Sequence, residues 1–237
     1  MKRLLLLPAV LLSLFALVSA ATAEEKAPNK PPEGFTALFN GKDVTNWKGL
    51  VGNPKSRAKM SPEELAKAQE AADKSMKQHW KADNGILVYD GKGESLCTAK
   101  DYADFELLVD WKIDAHGDSG IYLRGMPQVQ IWDPSDPSQK GNGADKGSGS
   151  LWNNKNNPRF PLVKADNPIG EWNTFRIKMV GEKVTIHLND KLVTDNVTME
   201  DYQDNSKTVP SSGQIELQHH SHPLYFRNIY IKELPAK

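Results

Sequence analysis

Phe105–Ile113, with the sequence FELLVDWKI, alternates apolar and polar side chains over most of its length. Because successive side chains of a β-strand point to opposite faces of a sheet, this stretch predicts a strand that is buried on one side only. The predicted core face carries Phe105, Leu107, Val109, Trp111 and Ile113. The other face carries Glu106, Leu108, Asp110 and Lys112. A strand with one buried face is typical of an antiparallel sheet that has one solvated side.

Shorter runs with the same alternation recur along the chain, between clusters of Gly, Asn, Asp and Pro. Repeated short strands separated by turn residues are typical of an all-β sandwich or barrel. The Asn189-Asp190 pair between two such runs predicts a hairpin. The further predicted strands are Phe35–Phe39, Gly85–Tyr89, Gly120–Arg124, Val129–Trp132, Trp172–Val180, Lys183–Leu188, Lys191–Val197, Gln214–Gln218 and Leu224–Glu233.

One segment, residues 61–78, has a helical pattern instead. Ser61 offers an N-cap, Pro62 suits the first helical position, and two acidic residues follow in the first turn. Apolar residues then recur at helical spacing, at Leu65, Ala68, Ala72 and Met76. We therefore expect a single inserted helix that covers an edge of the sandwich.

The start of the chain resembles an export signal. Lys2 and Arg3 precede an apolar run from Leu4 to Val18, and Ala21-Thr22-Ala23 offers a small-residue cleavage site. An uncleaved membrane anchor needs about 20 apolar residues, so we expect cleavage, export to the periplasm or outside the cell, and no membrane insertion afterwards. The predicted division is a signal peptide at 1–23, a flexible tether at 24–33 and a single domain at 34–237.

Composition excludes several classes of protein. The chain has 237 residues, with 30 Lys and Arg against 30 Asp and Glu, and a single cysteine, Cys97. This length favours one compact domain. Balanced charge argues against a nucleic-acid partner, which requires a basic surface. One cysteine excludes an internal disulfide and a cysteine-cluster zinc site.

The polar residues of the predicted strands indicate a ligand. Tyr122 and Arg124 alternate with apolar residues, as do Gln128 and Gln130, and the series of Glu216 and Gln218 continues to His220. Amides, carboxylates, arginine and aromatic faces together suit a sugar, whose hydroxyls need paired donors and acceptors and whose C–H faces pack on rings. The simpler alternative is the solvated face that any antiparallel sandwich has. The long loop 133–168 is expected to overhang a binding face.

Several motifs resemble one known family, the 3-keto-disaccharide hydrolase domain family, and cover nearly all of residues 34–237 in order. The resemblance implies a concanavalin- and laminarinase-like jelly roll of two antiparallel sheets, and cleavage of the glycosidic bond in sugars oxidised at C3. The matching motifs are Gly34–Asp43 with Trp47, Asp118–Arg124, Gln128–Asp133, Gly170–Asn173, Leu188–Asp190, Gly213–Gln218 and Phe226–Ile231.

The chain also departs from that family's pattern. Many members have Glu where this chain has Gln128, so no acid or base role is assigned to that position. His220 matches the family histidine, but Ser221 replaces the glycine that follows it. Ordinary retaining hydrolysis needs two carboxylates flanking the bond, and the Gln128–Asp133 segment does not supply such a pair.

A ketone at C3 would allow elimination across C1 and C2 followed by addition of water, which requires one base and one stabiliser of the enolate. We expect His220 or Asp110 as the base, Arg124 as the oxyanion partner and Asp133 as the acid or an orienting residue. The expected sugar-binding residues are Lys112, Tyr122, Gln128, Gln130, Trp132, Trp152, Asn153, Glu216 and Gln218.

Three alternatives stay open on sequence alone. His220 and His222 share a face in an extended chain, so a divalent metal is a candidate cofactor, although no fixed ligand spacing identifies one. The protein could be a non-catalytic carbohydrate-binding module rather than an enzyme. It could also be a structural surface protein, if the polar face is plain solvated sheet.

Overall fold

The computed structural model describes residues 29–125, 128–201, 204 and 207–235, so the predicted signal peptide lies outside the described residues. The strands are β1 Thr36–Ala37, β2 Trp47–Gly49, β3 Trp80–Asp83, β4 Ile86–Tyr89, β5 Leu96–Thr98, β6 Phe105–Ile113, β7 Asp118–Tyr122, β8 Gln128–Trp132, β9 Asn173–Val180, β10 Lys183–Leu188, β11 Lys191–Thr198, β12 Glu216–Leu217 and β13 Leu224–Glu233. The helices are α1 Pro54–Arg57, α2 Pro62–His79 and the 3-10 turns Pro137–Asn142 and Ala144–Lys146.

The strands form two antiparallel sheets packed face to face. The eight-stranded sheet has the order β11-β10-β9-β6-β13-β4-β3, and β1 pairs with β13. The five-stranded sheet has the order β2-β5-β12-β7-β8. The predicted all-β jelly-roll sandwich with an inserted helix is therefore confirmed, with the short α1 as an addition.

The core lies between the two sheets. From the eight-stranded sheet, Phe105, Trp111 and Phe175 point inward and are almost fully buried. From the five-stranded sheet, Ile121 and Leu217 meet them. Burial of each large apolar side chain contributes roughly 1.5–3 kcal/mol, so this layer fixes which side of every strand faces solvent.

Helix α2 covers the outer edge of the five-stranded sheet, as the sequence predicted. Its N-terminus has a capping box in which Ser61 and Glu64 bond each other's backbone N–H groups. Along its length, Asp73 accepts the Gly49 backbone N–H at 2.9 Å, and the Gln69 amide donates to the Gly49 carbonyl at 2.8 Å. Side chains of the helix thus form hydrogen bonds with backbone groups of the edge strand β2. Left unpaired, these groups could pair with a strand of another chain.

The sequence did not predict the short strands β2, β3 and β5. Each has three or four residues, which is too short for alternation to be recognised. Within the described residues, no helix has both the length and the apolar character needed to cross a membrane.

The contact between α2 and β2 yields a stability prediction. A Cβ added at Gly49 would lie 2.2 Å from the Ala72 carbonyl oxygen, so Gly49→Ala must push helix and strand apart. We expect a loss of about 1–3 kcal/mol in the free energy of unfolding, measured with urea. Gly141→Ala is the matched control, because a Cβ there meets nothing within 4 Å. Equal stability of the two variants would contradict this role of Gly49.

Candidate functional site

Four neighbouring strands align their polar residues in rows on the outer face of the five-stranded sheet, here called the polar face. Glu216 pairs with Cys97 on one side and with Tyr122 on the other, and Tyr122 pairs with Gln128. A second row lies two residues further along each strand. There the Gln218 backbone N–H donates to the Gly120 carbonyl at 2.9 Å, and Gly120 pairs with Gln130. Alternation of side chains therefore brings the predicted polar series together on one surface.

A pocket of about 220 Å³ opens on the polar face. This volume is below the roughly 300–1,000 Å³ of pockets that enclose drug-sized ligands, so it suits a single small ring. Larger hollows occur elsewhere on the surface, but this one gathers six of the thirteen predicted site residues. Its lining residues are Asp118, Gln128, Gln130, Trp132, Gln139, Asn142, Trp152, Gln218 and His220.

The floor of the pocket is a fixed set of amides. Gln128 Nε2 donates to Gln218 Oε1 at 2.6 Å and to the Ser119 carbonyl at 3.3 Å. Gln130 Nε2 donates to Asp118 Oδ1 at 2.7 Å. A Cβ at Gly120 would lie 2.2 Å from Gln128 Nε2, so only glycine lets this amide lie across the strand. Gln130 Nε2 also donates to the Ile131 carbonyl at 3.2 Å, so the N–H groups of both Gln128 and Gln130 are used within the protein. The oxygens of these two amides and the N–H groups of Gln218 are therefore the amide groups left for a ligand.

Asp118 and His220 form the titratable pair of the pocket. His220 Nε2 lies 3.8 Å from Asp118 Oδ2, with the carboxylate mostly buried and the imidazole about half exposed. Burial raises the pKa of Asp118, and the nearby His220 partly opposes this shift. Asp118 was not among the predicted site residues, because the strand predicted from the sequence begins at Gly120 and the observed strand begins two residues earlier. Its even spacing from Gly120 and Tyr122 was the signal that could have revealed it.

The long loop forms one wall of the pocket, as the sequence predicted. Its segment 149–152 runs beside β8, where the Gln130 backbone N–H donates to the Ser150 carbonyl and Trp152 donates to the Gln128 carbonyl. The Trp152 ring meets Trp132 edge to face at 5.3 Å, and the Arg159 guanidinium lies 3.8 Å from the Trp152 ring centroid. The 3-10 turn of the same loop adds Gln139 and Asn142 to the lining.

Three predicted sugar-binding residues lie close to the pocket without lining it. Asn153 Oδ1 accepts the Gln128 backbone N–H at 2.9 Å, so Asn153 anchors the loop to β8. Tyr122 stands beside Gln128 in the first row, half-buried. Glu216 occupies the same row, and burial raises its pKa to about 7, although Ser95 and Arg57 oppose that shift.

Arg124 lies outside the pocket, contrary to its predicted role as oxyanion partner. Strand β7 ends at Tyr122, and Arg124 has a φ of 56°, so the alternation that would place it on the polar face stops before it. Its guanidinium is buried against Asp104 at 2.8 Å. The same group donates to the carbonyls of Ala103, Gly181 and Pro210. Arg124 therefore joins loops at one end of the sandwich.

Asp110 and Lys112 lie on the opposite side of the molecule from the pocket. Both point outward, as predicted, but β6 belongs to the eight-stranded sheet. Asp110 accepts hydrogen bonds from Thr174 and Asn228 and pairs with Arg227. Alternation identifies the solvated face of a strand but not the sheet that contains it, which is why the roles of base and sugar ligand were misassigned here.

Asp133 also has a structural role instead of the predicted role as acid or orienting residue. Strand β8 ends at Trp132, and Asp133 accepts the His116 backbone N–H at 3.0 Å and the Ser135 backbone N–H at 2.8 Å. Burial acts to raise the pKa of Asp133, but the hydrogen bonds from Ser135 and His116 outweigh it and hold the pKa below its usual range. Asp133 therefore stabilises the turn after β8.

The two histidines of the suggested metal site do not lie in an extended chain. The His222 backbone N–H donates to the His220 carbonyl at 2.6 Å, which makes a tight turn. Over the described ranges, no cluster of three or more His, Cys, Asp or Glu residues is placed to hold a metal ion. Asp118 and His220 are the two groups of the pocket that could contribute to one.

The fold and the pocket define a two-sheet jelly roll with a tryptophan-walled, amide-floored cavity on one outer face. The family described as the 3-keto-alpha-glucoside-1,2-lyase-like domain matches residues 34–232. The chain belongs to this family.

Individual relatives are distant. A 3-keto-disaccharide hydrolase from Bacteroides thetaiotaomicron is 24% identical, over 85% of this chain and 79% of that protein. A solved structure from Parabacteroides distasonis, assigned as a glycosyl hydrolase, is 23% identical with a TM-score of 0.64, and covers 88% of this chain and 100% of its own. A second one from the same organism is 25% identical with a TM-score of 0.54, over 79% of this chain and 99% of its own. The similarity to these two solved structures agrees with the jelly-roll fold described above.

Glu216 gives a prediction about pH. A carboxyl whose pKa is raised from 4.5 to about 7 in the folded state keeps its proton while the unfolded chain loses it. Its contribution to stability is therefore present below about pH 4.5 and is lost as the pH rises toward 7. We expect Glu216→Gln to gain stability relative to the wild type between pH 5 and pH 8, by on the order of 3 kcal/mol, in urea unfolding.

Glu200→Gln is the control, and its expected effect on stability has the opposite sign. Burial acts to raise the pKa of Glu200, but hydrogen bonds from the backbone N–H groups of Lys155, Asn156 and Asn157 lower it overall. This variant should lose stability relative to the wild type as the pH rises. Parallel pH profiles for the Glu216 variant and the wild type would show that the buried carboxyl is not protonated.

Proposed function

We propose that this protein cleaves the glycosidic bond of 3-keto-glycosides, with the pocket as its active site. The observation that carries the proposal is the Asp118–His220 pair, a base with an orienting carboxylate, inside a cavity otherwise lined by amides and indoles. The description of the family and the name of the Bacteroides relative support this substrate class.

The reaction would proceed by elimination and then hydration. A ketone at C3 acidifies the hydrogen on C2, so a base removes that proton and the electrons form an enolate. Collapse of the enolate forms the C1–C2 double bond and breaks the bond from C1 to the leaving oxygen, which takes up a proton. Water then adds its hydroxyl to C1 and its hydrogen to C2, so the net reaction is hydrolysis.

His220 is the proposed base. Imidazole is the side chain that most often transfers protons in enzymes, and the half-exposed His220 lies at the mouth of the pocket. Asp118 orients the ring and favours the imidazolium that forms when the C2 proton is taken. The proton can then pass from His220 to the leaving oxygen, so one residue serves both halves of the elimination.

The remaining lining residues would hold the sugar. Trp152 offers ring surface for its C–H face, with the almost fully buried Trp132 packed against it. The glutamine side chains offer amide oxygens as acceptors, and Gln218 offers N–H donors, for its hydroxyls. No lysine or arginine lines the pocket within the described residues, so amide N–H groups such as those of Gln139 and Asn142 would stabilise the enolate oxygen in place of Arg124.

A non-catalytic sugar-binding role is the second candidate. One carboxylate, Asp118, lines the pocket among the described residues, and Gln128 stands where many family members have Glu. Two flanking carboxylates are needed for ordinary glycoside hydrolysis, so a plain glycan would be bound and left intact. Binding of an unoxidised sugar without turnover of any keto sugar would select this role.

Export is a further part of the proposal. The basic start, the apolar run and the small residues before Glu24 support a signal peptide at 1–23 and a periplasmic or extracellular protein. We expect the mature protein to begin at Glu24 and to be found outside the cytoplasm. N-terminal sequencing of protein from the periplasm and the medium tests this, and an intact Met1 in those fractions would contradict it.

The central test is turnover of a 3-keto-glucoside by the purified protein, with and without added divalent metal. We expect His220→Gln and Asp118→Asn to lower kcat/KM by about 100-fold or more, because general acid–base groups contribute on that scale. His187→Gln is the matched control, since His187 lies on the outer face of the eight-stranded sheet. Absence of any released leaving group from the wild type under both conditions would refute the proposal.

A further inference from the structure

A second group of aromatic and charged side chains lies on the outer face of the eight-stranded sheet, on the side of the sandwich away from the pocket. Trp111 pairs with Asn173, so the next residues along, Lys112 and Trp172, stand side by side. Lys112 also pairs with Tyr225 on β13. Trp172, Lys112 and Tyr225 thus form one row across three strands, here called the outer cluster.

The lysine of the outer cluster lies between the two rings. Lys112 Nζ is 4.5 Å from the Tyr225 ring centroid and 5.4 Å from the Trp172 ring centroid. The Arg227 guanidinium also lies over Trp172, at 4.3 Å. Since neighbouring strands are about 4.8 Å apart, the backbones that carry the two rings are separated by roughly 9.6 Å. This span exceeds one sugar ring, so both rings together would contact a chain of sugars.

The outer cluster contributes little to the core. All three of its side chains are half-buried on the solvent side of the sheet, where Lys, Glu and Thr are the usual residues. Each exposed cation–π contact stabilises the protein by only about 0.5–1 kcal/mol. This gain is too small to explain why an indole and a phenol ring lie on the solvent side of the sheet. Lys112 was predicted from the sequence to bind a sugar, and it does not line the pocket.

The region around the outer cluster contains charged side chains of both signs. Asp110 is already paired with Arg227 and bonded to Thr174 and Asn228. Asp114 accepts a hydrogen bond from the Tyr225 hydroxyl at 3.4 Å. Lys112 has no ion pair within the part of the chain that the structure describes, although its ammonium is held in place by two rings. Among the described residues, an ammonium without an ion-pair partner is therefore fixed between two aromatic surfaces, where it can pair with the carboxylate of a ligand.

We propose that the outer cluster binds an acidic polysaccharide, a chain that contains hexuronate residues. Trp172 and Tyr225 pack against the C–H faces of separate sugar rings, and Lys112 pairs with a uronate carboxylate between them. Because the outer cluster and the pocket face in opposite directions, both can be occupied at once. This function goes beyond the proposed catalysis, and it would hold the enzyme on an acidic polymer while the pocket acts on small glycosides.

Affinity electrophoresis of the purified protein tests this proposal, with polygalacturonate in one gel and neutral dextran in another. Mobilities are normalised to a gel without glycan, so that changes in protein charge cancel. We expect polygalacturonate to retard the wild type and dextran to leave it unaffected. Lys112→Met and the double variant Trp172→Ala with Tyr225→Ala should each lose about tenfold in affinity, the scale of one well-placed contact.

Lys178→Met is the matched control, because it removes the same charge from an exposed position on the same sheet face. It should keep its affinity within about twofold. Trp172→Phe preserves an aromatic ring and should keep most of the binding, and near-ultraviolet circular dichroism checks that each variant is folded.

Three results would overturn the proposal: no retardation of the wild type by polygalacturonate, equal retardation by dextran, or equal losses in the Lys112 and Lys178 variants. Because binding is measured without any keto sugar, these results are independent of turnover in the pocket. A negative result for glycan binding at the outer cluster can therefore be distinguished from a negative result for the proposed catalysis.

Discussion

The structure depends on the packing of two sheets against a shared core, which fixes the side of every strand that faces water. Ile121 and Leu217 are buried against the eight-stranded sheet, so their neighbours on β7 and β12 must point the other way. The pocket follows from that constraint, because Gln218 and Gln128 are the outward residues of strands whose inward residues fill the core. Any change that slipped the register by one residue would reverse both faces at once.

The chemistry of the pocket depends on how closely its groups can approach. Gly120 leaves room for the Gln128 amide, and the loop segment 149–152 brings Trp152 beside β8. Among the described residues, the resulting cavity is lined by one carboxylate, one imidazole and several amides, a set that suits proton transfer better than the two-carboxylate hydrolysis of ordinary glycosides. A substrate that carries a ketone at C3 has an acidic hydrogen on C2, so elimination could break its glycosidic bond without the second carboxylate that serves as nucleophile or base in ordinary hydrolysis.

Much of the fold could be predicted from periodicity, since β6, β10 and β13 and the start of α2 match the expected bounds closely. The candidate site was harder to predict from the sequence than the fold. Alternation correctly grouped Gln128, Gln130 and Gln218 on one face, but it could not show that Asp110 belongs to the other sheet. Sheet membership depends on pairing between strands far apart in sequence, and a local change such as the positive φ of Arg124 redirects a side chain without any sign in the pattern.

The central claim is that the polar face holds a 3-keto sugar with its C2 hydrogen directed at His220. A crystal structure of the complex with a 3-keto-glucoside and an inactive Asp118→Asn variant measures this directly. The account predicts the sugar ring against Trp152, with C2 about 3–3.5 Å from the ring nitrogen of His220 that does not face Asp118, the separation of a near-attack arrangement. A sugar bound elsewhere, or bound here with C2 turned away from the imidazole, would contradict it.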